Sequence, residues 1–276
     1  MANENIISQP KVTFCLNNES YDSARAASNI TFGDMPNDCL HGGSEFTFKL
    51  YLDTTYDDWW SVRLRSVRYG AQNLKYSYTD TAIIDTGTSF FTISKTDFDN
   101  FASIMLELEG ITCSYAEGCY SQDDQLCEAF TPQMEDLQIQ LDFTVFNITP
   151  QYFTYNRLNS TSGKHFCQVT VSALPDEDGI YILGDPFLRA FTTNFDFGEQ
   201  VIYVGINPNA VQFVSIYTVM TNWAKFGVGL GCMLFVLMLG TVVYFWVQHC
   251  KRQKRSRRLQ IHSSEEHPYA WRSDNV

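Results

Sequence analysis

The chain has 276 residues, of which 45% are hydrophobic and 18% are charged. This balance predicts a packed globular protein and excludes a disordered one. The aromatic content of 15% favours a mainly β fold, because aromatic side chains pack well on pleated sheets. The first 224 residues hold 11 basic and 28 acidic residues, a net charge of −17, whereas the rest holds 8 and 3, a net charge of +5. A surface this acidic argues against a nucleic-acid partner.

Short apolar runs separated by turn residues predict β-strands in the first part of the chain. The runs lie at Lys11–Leu16, Glu45–Leu52, Trp59–Tyr69, Gln138–Val145 and Gln168–Ala173. In the third run, apolar and polar residues alternate over several steps, which is typical of a half-buried strand.

The segment that carries chemistry is TAIIDTGTSF at residues 81–90. Its apolar start predicts a buried strand that delivers Asp85 to its end, followed by a sharp turn. The residues of this turn are Thr86, Gly87, Thr88 and Ser89. Glycine allows the backbone to approach the carboxylate, and neighbouring hydroxyls can donate to it. On its own, the Asp-Thr-Gly triplet fits either a catalytic aspartate or an ordinary turn with a solvated aspartate.

One helix is predicted after this turn. Ser94, with Asp97 three residues later, resembles a capping box at the start of a helix. The apolar residues that then share one helical face are Phe98, Phe101, Met105 and Leu108. Gly110 is expected to end the helix.

Six cysteines precede residue 220 and suit three disulfides in an oxidising compartment. They are Cys15, Cys39, Cys113, Cys119, Cys127 and Cys167. Their spacing alone leaves many pairings open. No C-x-x-C or H-E-x-x-H motif occurs, so neither a metal site nor another cofactor is expected.

Four N-x-S/T triplets are candidates for N-glycosylation, at Asn18, Asn29, Asn147 and Asn159. The first residues of the chain are polar and lack the apolar stretch of a signal peptide. A domain of secretory type without an entry signal leads us to expect that the protein begins upstream of Met1.

The segment from Phe226 to Val247 has 22 residues without a formal charge, long enough to cross a bilayer as a helix. Six cations follow within Lys251–Arg258, and the positive-inside rule places them in the cytosol. The alternative, a buried helix before a nuclear-localisation-like run, fits the aromatic and charged flanks less well. Gly227 and Gly231 suggest either a helix-dimer face or ordinary glycines of a membrane helix.

These features resemble the C-terminal lobe of pepsin-like aspartic proteases, in which an apolar strand leads into Asp-Thr-Gly-Thr-Ser. The stretch YILGDPFLRAF at residues 181–191 resembles the family's hydrophobic-hydrophobic-Gly-Asp segment. Phe195–Asp196 and Val201–Ile206 resemble its closing strands, and Ile7–Pro10, Ile30–Gly33 and the strand from Trp60 resemble its beginning. The resemblance covers about residues 5–206 and implies a mainly β lobe with a psi-shaped loop.

The resemblance also implies roles for single residues. Asp85 is the catalytic aspartate of the lobe, the Thr86 hydroxyl braces the active-site loop against that of the other lobe, and Thr88 lies near the carboxylate. The supporting loop beneath the active-site strand contains Ile182, Leu183 and Gly184. The resemblance implies a disulfide between Cys127 and Cys167. The pairs that then remain are Cys113–Cys119 and Cys15–Cys39.

One departure from the family concerns the second aspartate. Pepsin-like proteases are bilobal, and each lobe supplies one carboxylate, so that the pair shares a proton and activates a water molecule. No second Asp-Thr-Gly or Asp-Ser-Gly triplet occurs here, and Asp53-Thr54-Thr55 lacks the glycine. We therefore expect that the amino-terminal lobe is missing from this sequence and that the chain alone is inactive.

Three functions fit the sequence. The leading one is a membrane-anchored aspartic endopeptidase that acts on peptides or proteins, on the secretory or endolysosomal route or at the plasma membrane. The others are a catalytically silent membrane glycoprotein that binds peptides or partners, and a one-lobe protease that homodimerises. The predicted organisation is a lumenal or extracellular lobe at 1–210, a linker at 211–225, a transmembrane helix at 226–247 and a cytosolic basic tail at 248–276.

Overall fold

The computed structural model describes residues 7–16, 28–40, 47–53, 58–76, 78, 80–174, 179–208, 215–218, 233, 235–247, 249 and 251. The chain divides into two compact units, Met1–Val219 and Met220–Val276. Short strands dominate the described part of the first unit, which confirms the mainly β prediction.

The strands are numbered in chain order. They are β1 Lys11–Cys15, β2 Asn29–Phe32, β3 Phe48–Tyr51, β4 Ser61–Tyr69, β5 Gln72–Asn73, β6 Thr81–Ile84, β7 Phe91–Ile93, β8 Ile111–Ser114, β9 Gly118–Ser121, β10 Leu137–Leu141, β11 Thr144–Ile148, β12 Thr154–Leu158, β13 His165–Val169, β14 Val171–Ala173, β15 Ile180–Leu183, β16 Phe191–Asp196, β17 Val201–Ile206 and β18 Ser215–Thr218. The helices of this unit are α1 Lys95–Met105, α2 Pro150–Phe153 and α3 Asp185–Ala190.

These strands form three sheets. A five-stranded sheet has the order β2-β1-β16-β17-β3, and a four-stranded sheet has the order β12-β13-β9-β8. The nine-stranded sheet has the order β14-β7-β15-β6-β4-β10-β11-β18, with β5 paired to β4. A continuous apolar core includes the aromatic triad of Phe146, Phe187 and Phe191, whose ring centroids lie 5.0–5.3 Å apart. The core therefore joins α3 to the strands on which it packs.

Helix α1 begins where the capping pattern predicts. The Ser94 side chain accepts a hydrogen bond from the Asp97 N–H, and Phe98, Phe101 and Met105 are buried. The helix ends at Met105 instead of running to Gly110. Two tight turns follow the helix. In the first, the N–H of Leu108 donates to the carbonyl of Met105, and the second ends at Gly110, which has a φ of +87°.

Two predicted strands are each divided in the structure. The run Gln138–Val145 contains the hairpin turn between β10 and β11, where Asp142 has φ of +48°. The run Gln168–Ala173 changes sheets at Thr170, whose N–H bonds to Phe153 and whose carbonyl accepts from Phe91. Long-range backbone partners decide both breaks, and apolar patterning does not reveal them.

The predicted linker at 211–225 also needs a correction. Strand β18, Ser215–Thr218, pairs antiparallel with β11 and extends the nine-stranded sheet. Its Ile216 side chain packs against the apolar core. The sheet therefore continues beyond residue 210.

Two of the three implied disulfides are present, Cys113–Cys119 and Cys127–Cys167. The expected disulfide between Cys15 and Cys39 is corrected, because both residues are buried free thiols. The Cys15 sulfur lies 4.0 Å from the carbonyl oxygen of Cys39, and the hydroxyl of Thr192 donates to that carbonyl at 2.5 Å. Burial and the neighbouring Cys15 thiol raise the pKa of Cys39 to about 12, so the reactive thiolate is disfavoured.

The glycosylation candidates differ in accessibility. The prediction of a glycan on Asn147 is corrected. Asn147 is buried in β11, and its amide nitrogen donates to Asp136 Oδ2 at 2.6 Å, so it cannot carry a glycan in this fold. Asn29 is exposed in β2, and Asn159 is half-buried in the turn between β12 and β13. Asn18 lies outside the described residues. Asn29 and Asn159 remain predictions.

In the second unit, residues 235–247 are helical, with exposed apolar side chains. Among the residues that the structure describes, no helix is both long and apolar enough to cross a membrane. The first part of the predicted span, including Gly227 and Gly231, lies outside the described residues, and so does most of the predicted tail.

An ion pair between a buried aspartate and a partly exposed lysine links the ends of β1 and β16. Asp196 is 1% exposed, and its Oδ2 lies 3.1 Å from Lys11 Nζ. Burial opposes the charge of Asp196, but the N–H groups of Glu199 and Gly198, together with Lys11, hold its pKa below the usual range. This group stabilises the fold above the pKa that an unfolded aspartate has, about 3.9. That contribution is lost as the pH falls through the lower pKa of the folded state.

Asp196→Asn should therefore destabilise the protein by about 2 kcal/mol at pH 6, because it removes the charge from three donors. The difference from wild type should shrink as the pH falls from about 4 through the lower pKa of the folded carboxylate, because the wild-type side chain then becomes neutral as well. Urea unfolding of the full chain at pH 6 and pH 2.5 measures both values. Glu199→Gln breaks an exposed ion pair with Lys49 and should have a much smaller effect. An Asp196→Asn deficit that is equal at both pH values would contradict the electrostatic explanation.

Candidate active site

Strand β6 delivers Asp85 to the surface from the core. All four residues of β6 are buried, and the strand lies between β4 and β15. The N–H of Asp85 donates to the carbonyl of Leu183 at 3.1 Å, which fixes the backbone where the strand ends. Asp85 itself is half-buried. Its carboxylate is thus rigidly supported from below and still accessible to water.

The turn after β6 holds both oxygens of this carboxylate. The N–H of Gly87 donates to Asp85 Oδ1 at 2.9 Å, and the Thr88 hydroxyl donates to Oδ2 at 2.5 Å. A Cβ atom on residue 87 would lie 3.3 Å from Oδ1, a tight contact that glycine avoids. One donor on each oxygen fixes the plane of the carboxylate.

The strand β15 lies between β6 and β7, the two strands that the Asp85 turn connects. It pairs parallel with β6, where Ile182 faces Ile83 and Leu183 faces Ile84. It pairs antiparallel with β7, where Leu183 faces Phe91. A strand inserted between two sequentially linked strands is the psi-shaped arrangement that the resemblance implies.

Gly184 supports the active-site turn directly. A Cβ atom at this position would lie 2.0 Å from the Thr88 carbonyl oxygen and 2.5 Å from that of Phe90. The next residue, Asp185, donates its N–H to the same Thr88 carbonyl at 2.9 Å. The loop after β15 therefore packs against the turn at backbone distance, which only glycine permits.

The rest of the turn is open. Thr86, Gly87 and Ser89 are exposed, and Thr88 is partly buried. Among the described residues, Asp85 accepts from its two donors and has no second carboxylate as a partner. A single carboxylate can act as an acid or as a base, but peptide hydrolysis by an activated water needs both roles at once. The described site presents one carboxylate, which can fill one of these two roles at a time.

Two supports of the site were missed by sequence reasoning. The Tyr181 hydroxyl in β15 hydrogen-bonds to Oδ2 of the buried Asp97, while Asp97 Oδ1 accepts from the Tyr76 N–H at 2.7 Å. The Trp60 carbonyl accepts from Ile84, and the Trp60 ring packs on Phe195 at 5.1 Å. Asp97 was interpreted only as a helix cap, because no local signal indicates a partner 84 residues away.

No group of three or more His, Cys, Asp or Glu side chains in the described part of the chain could hold a metal ion. The polar groups that the turn presents are the Asp85 carboxylate and the neighbouring hydroxyl groups.

A buried strand ending in a turn-held aspartate, with a glycine loop packed beneath, defines the class of aspartic peptidase folds. The chain belongs to the eukaryotic aspartyl protease family, whose model matches residues 1–206. This finding confirms the resemblance to the family.

Curated relatives agree at low identity. The chain is 25% identical to gastricsin of Suncus murinus over 203 residues, which are 72% of this chain and 47% of that protein. It is 26% identical to cathepsin E-B of Xenopus laevis, over 60% of this chain and 38% of that protein. It is 24% identical to plasmepsin I of Plasmodium falciparum, over 73% of this chain and 39% of that protein. The chain thus spans about half the length of the curated relatives it matches or less.

Proposed function

We propose that this chain is the second-aspartate lobe of a membrane-anchored aspartic endopeptidase, and that Asp85 is one of its two catalytic carboxylates. The observation that carries the proposal is the placement of Asp85, with both oxygens held by the turn and the loop around it exposed. The psi-shaped support beneath the turn, built on Gly184, fits the same function.

In this function Asp85 shares one proton with a carboxylate from an amino-terminal lobe, because two close carboxylates do not ionise together. The ionised member takes a proton from a water molecule, and the water oxygen attacks the peptide carbonyl carbon. The protonated member gives its proton to the carbonyl oxygen. When the tetrahedral intermediate collapses, the C–N bond breaks and the carboxyl that took the water proton gives it to the amine nitrogen. The other carboxylate takes a proton from a hydroxyl of the intermediate, which restores the shared proton. The exposed Thr86 hydroxyl fits a role as a brace to the second lobe.

The 276-residue chain alone should cleave no peptide, because it supplies one of the two carboxylates. The natural protein, captured from its source cells with an antibody to residues 252–276, should cleave peptides at acidic pH in a pepstatin-sensitive manner. Peptide cleavage followed by mass spectrometry compares the two preparations. Acidic, pepstatin-sensitive cleavage by the chain alone, abolished by Asp85→Asn, would overturn the two-lobe proposal and favour the homodimer.

The membrane anchor is part of the proposal. Its support is the uncharged segment from Phe226 to Val247, the six cations within Lys251–Arg258 and the exposed apolar side chains on the helical residues 235–247. An apolar helix followed by a basic run orients with the basic side in the cytosol. Asp85 then faces the lumen or the cell exterior.

Protease treatment of intact vesicles tests this topology. We expect the tail after Lys251 to be trimmed and the epitopes around Asp85 to survive until detergent is added. Loss of the Asp85 region from sealed vesicles would reverse the orientation, and release of the protein by carbonate washing would remove the anchor from the proposal.

A further inference from the structure

A cleft of about 230 Å³ lies on the first unit, and none of the residues 85–89 lines it. One wall is the hairpin of β4 and β5, and the other is formed by the end of α1 and the turn after it. Ile104, Met105 and Leu108 give the cleft an apolar floor. An apolar floor of this kind accommodates the hydrocarbon part of a ligand.

Two carboxylates stand at this cleft, on Glu107 and Glu135. Both residues are exposed, and among the described residues neither forms an ion pair. The Glu135 side chain lies against Gly70, where a Cβ atom would come within 2.9 Å of its Cγ. The guanidinium of Arg68, on the same hairpin, donates to the carbonyl of Ala71 at 2.8 Å. The cleft therefore presents negative charge that the described residues leave unpaired, with Glu135 held close to the backbone.

The third feature of the cleft is the Tyr69 hydroxyl. Tyr69 is 4% exposed, and its oxygen accepts from the N–H of Glu135 at 2.9 Å. Its own O–H has no acceptor within the described part of the chain. Burial, with the charges of Glu135 and Asp136, raises the pKa of Tyr69 to about 12, so the hydroxyl remains a donor. A buried donor without an acceptor is costly, and a ligand carbonyl would satisfy it.

We propose that this cleft binds an extended polypeptide segment of another protein that carries Lys or Arg. The cation pairs with Glu107 and Glu135, its aliphatic stem covers Ile104 and Leu108, and a peptide carbonyl accepts from Tyr69. The net charge of −17 over the first 224 residues favours the approach of such a segment. A phosphate ligand would be repelled, and a polyamine lacks the carbonyl group. The proposal is independent of the protease function, since it uses no residue of the Asp85 turn.

Fluorescence anisotropy with the full-length chain in mild detergent tests the proposal. The probe is a labelled, end-capped peptide of ten residues with two Lys and two Leu among Ser and Gly, and the matched control peptide has Gln in place of Lys. We expect saturable binding of the Lys peptide at pH 7, and we expect high salt to weaken it. The double substitution Glu107→Gln with Glu135→Gln should weaken binding at least about tenfold, which corresponds to about 1.4 kcal/mol. The Gln peptide should lose affinity to a similar extent.

Matched variants separate the cleft from general surface charge. Glu109→Gln makes the same chemical change outside the cleft lining and should leave binding unchanged. Tyr69→Phe should weaken the Lys peptide while leaving spermine binding unaffected. Each variant is first shown to unfold cooperatively near the wild-type temperature. The proposal would be overturned if the Lys peptide showed no saturable binding. Equal losses of peptide affinity in Glu109→Gln and in the double variant would also overturn it, and so would spermine that competes with an affinity like that of the peptide.

Discussion

Asp85→Asn in the two-lobe enzyme should reduce peptide turnover by at least about 10³-fold, because it removes a group that acts as both acid and base. The fold should survive, since asparagine keeps a side-chain oxygen that can accept from the Gly87 N–H. In the wild-type protein this N–H lies 2.9 Å from Asp85 Oδ1. The measurement is the steady-state cleavage rate of a fluorogenic peptide at acidic pH, with thermal unfolding recorded alongside. Substrate affinity should change far less than turnover.

Asp80→Asn is the matched control for this substitution. It makes the same chemical change in an exposed residue shortly before β6. We expect near wild-type turnover, because Asp80 does not touch the Asp85 carboxylate in the structure. Equal losses in the two variants would show that removal of negative charge, and not the site geometry, lowers the rate.

Gly184→Ala should destabilise the protein by about 3 kcal/mol, because overpacking against fixed backbone cannot be relieved by a rotamer change. The added methyl group would overlap the carbonyl oxygens of Thr88 and Phe90, at 2.0 and 2.5 Å. The active-site turn must then move, so turnover of the two-lobe enzyme should fall as well. Urea unfolding of the full chain gives the first quantity, and the peptide assay gives the second.

Gly163→Ala separates this overlap from the conformational cost of replacing glycine. Gly163 has φ of +71° and nothing within 4 Å of an added Cβ atom, so its substitution costs about 1 kcal/mol through the backbone alone. Gly184 has φ of −92°, which other residues adopt readily. If Gly184→Ala cost less than Gly163→Ala, the close packing beneath the turn would be disproved.

Local patterns were enough to predict much of the fold. The alternation after Trp60 predicted β4, and the Ser94 cap predicted the start of α1. The first signal is the two-residue period of a strand, and the second is a side chain that caps an N–H three residues later. Both are local, so they do not depend on distant contacts. The strand that ends at Asp85 was visible for the same reason, since an uninterrupted apolar run suits a strand that is buried on both faces.

Distant contacts account for the predictions that were wrong. Cys15 and Cys39 were paired by elimination, and the structure shows two thiols in a hydrogen-bonded environment with Thr192. Asn147 matches a glycosylation triplet, yet its strand lies between β10 and β18. The hydrogen bond between Tyr181 and Asp97 leaves no local trace in the sequence. A motif identifies Asp85, whereas its support depends on the register of β15 between β6 and β7.

The most direct test of the account is the pH dependence of peptide cleavage by the two-lobe enzyme. If Asp85 shares a proton with a second carboxylate, the pair titrates as a coupled unit, and cleavage should peak in acid. Cleavage should fall as the pH rises and the shared proton is lost, and pepstatin should abolish it across the active range. Cleavage that increases towards neutral pH, or that continues at the wild-type rate with Asp85→Asn, would contradict the assignment of Asp85 as a catalytic aspartate.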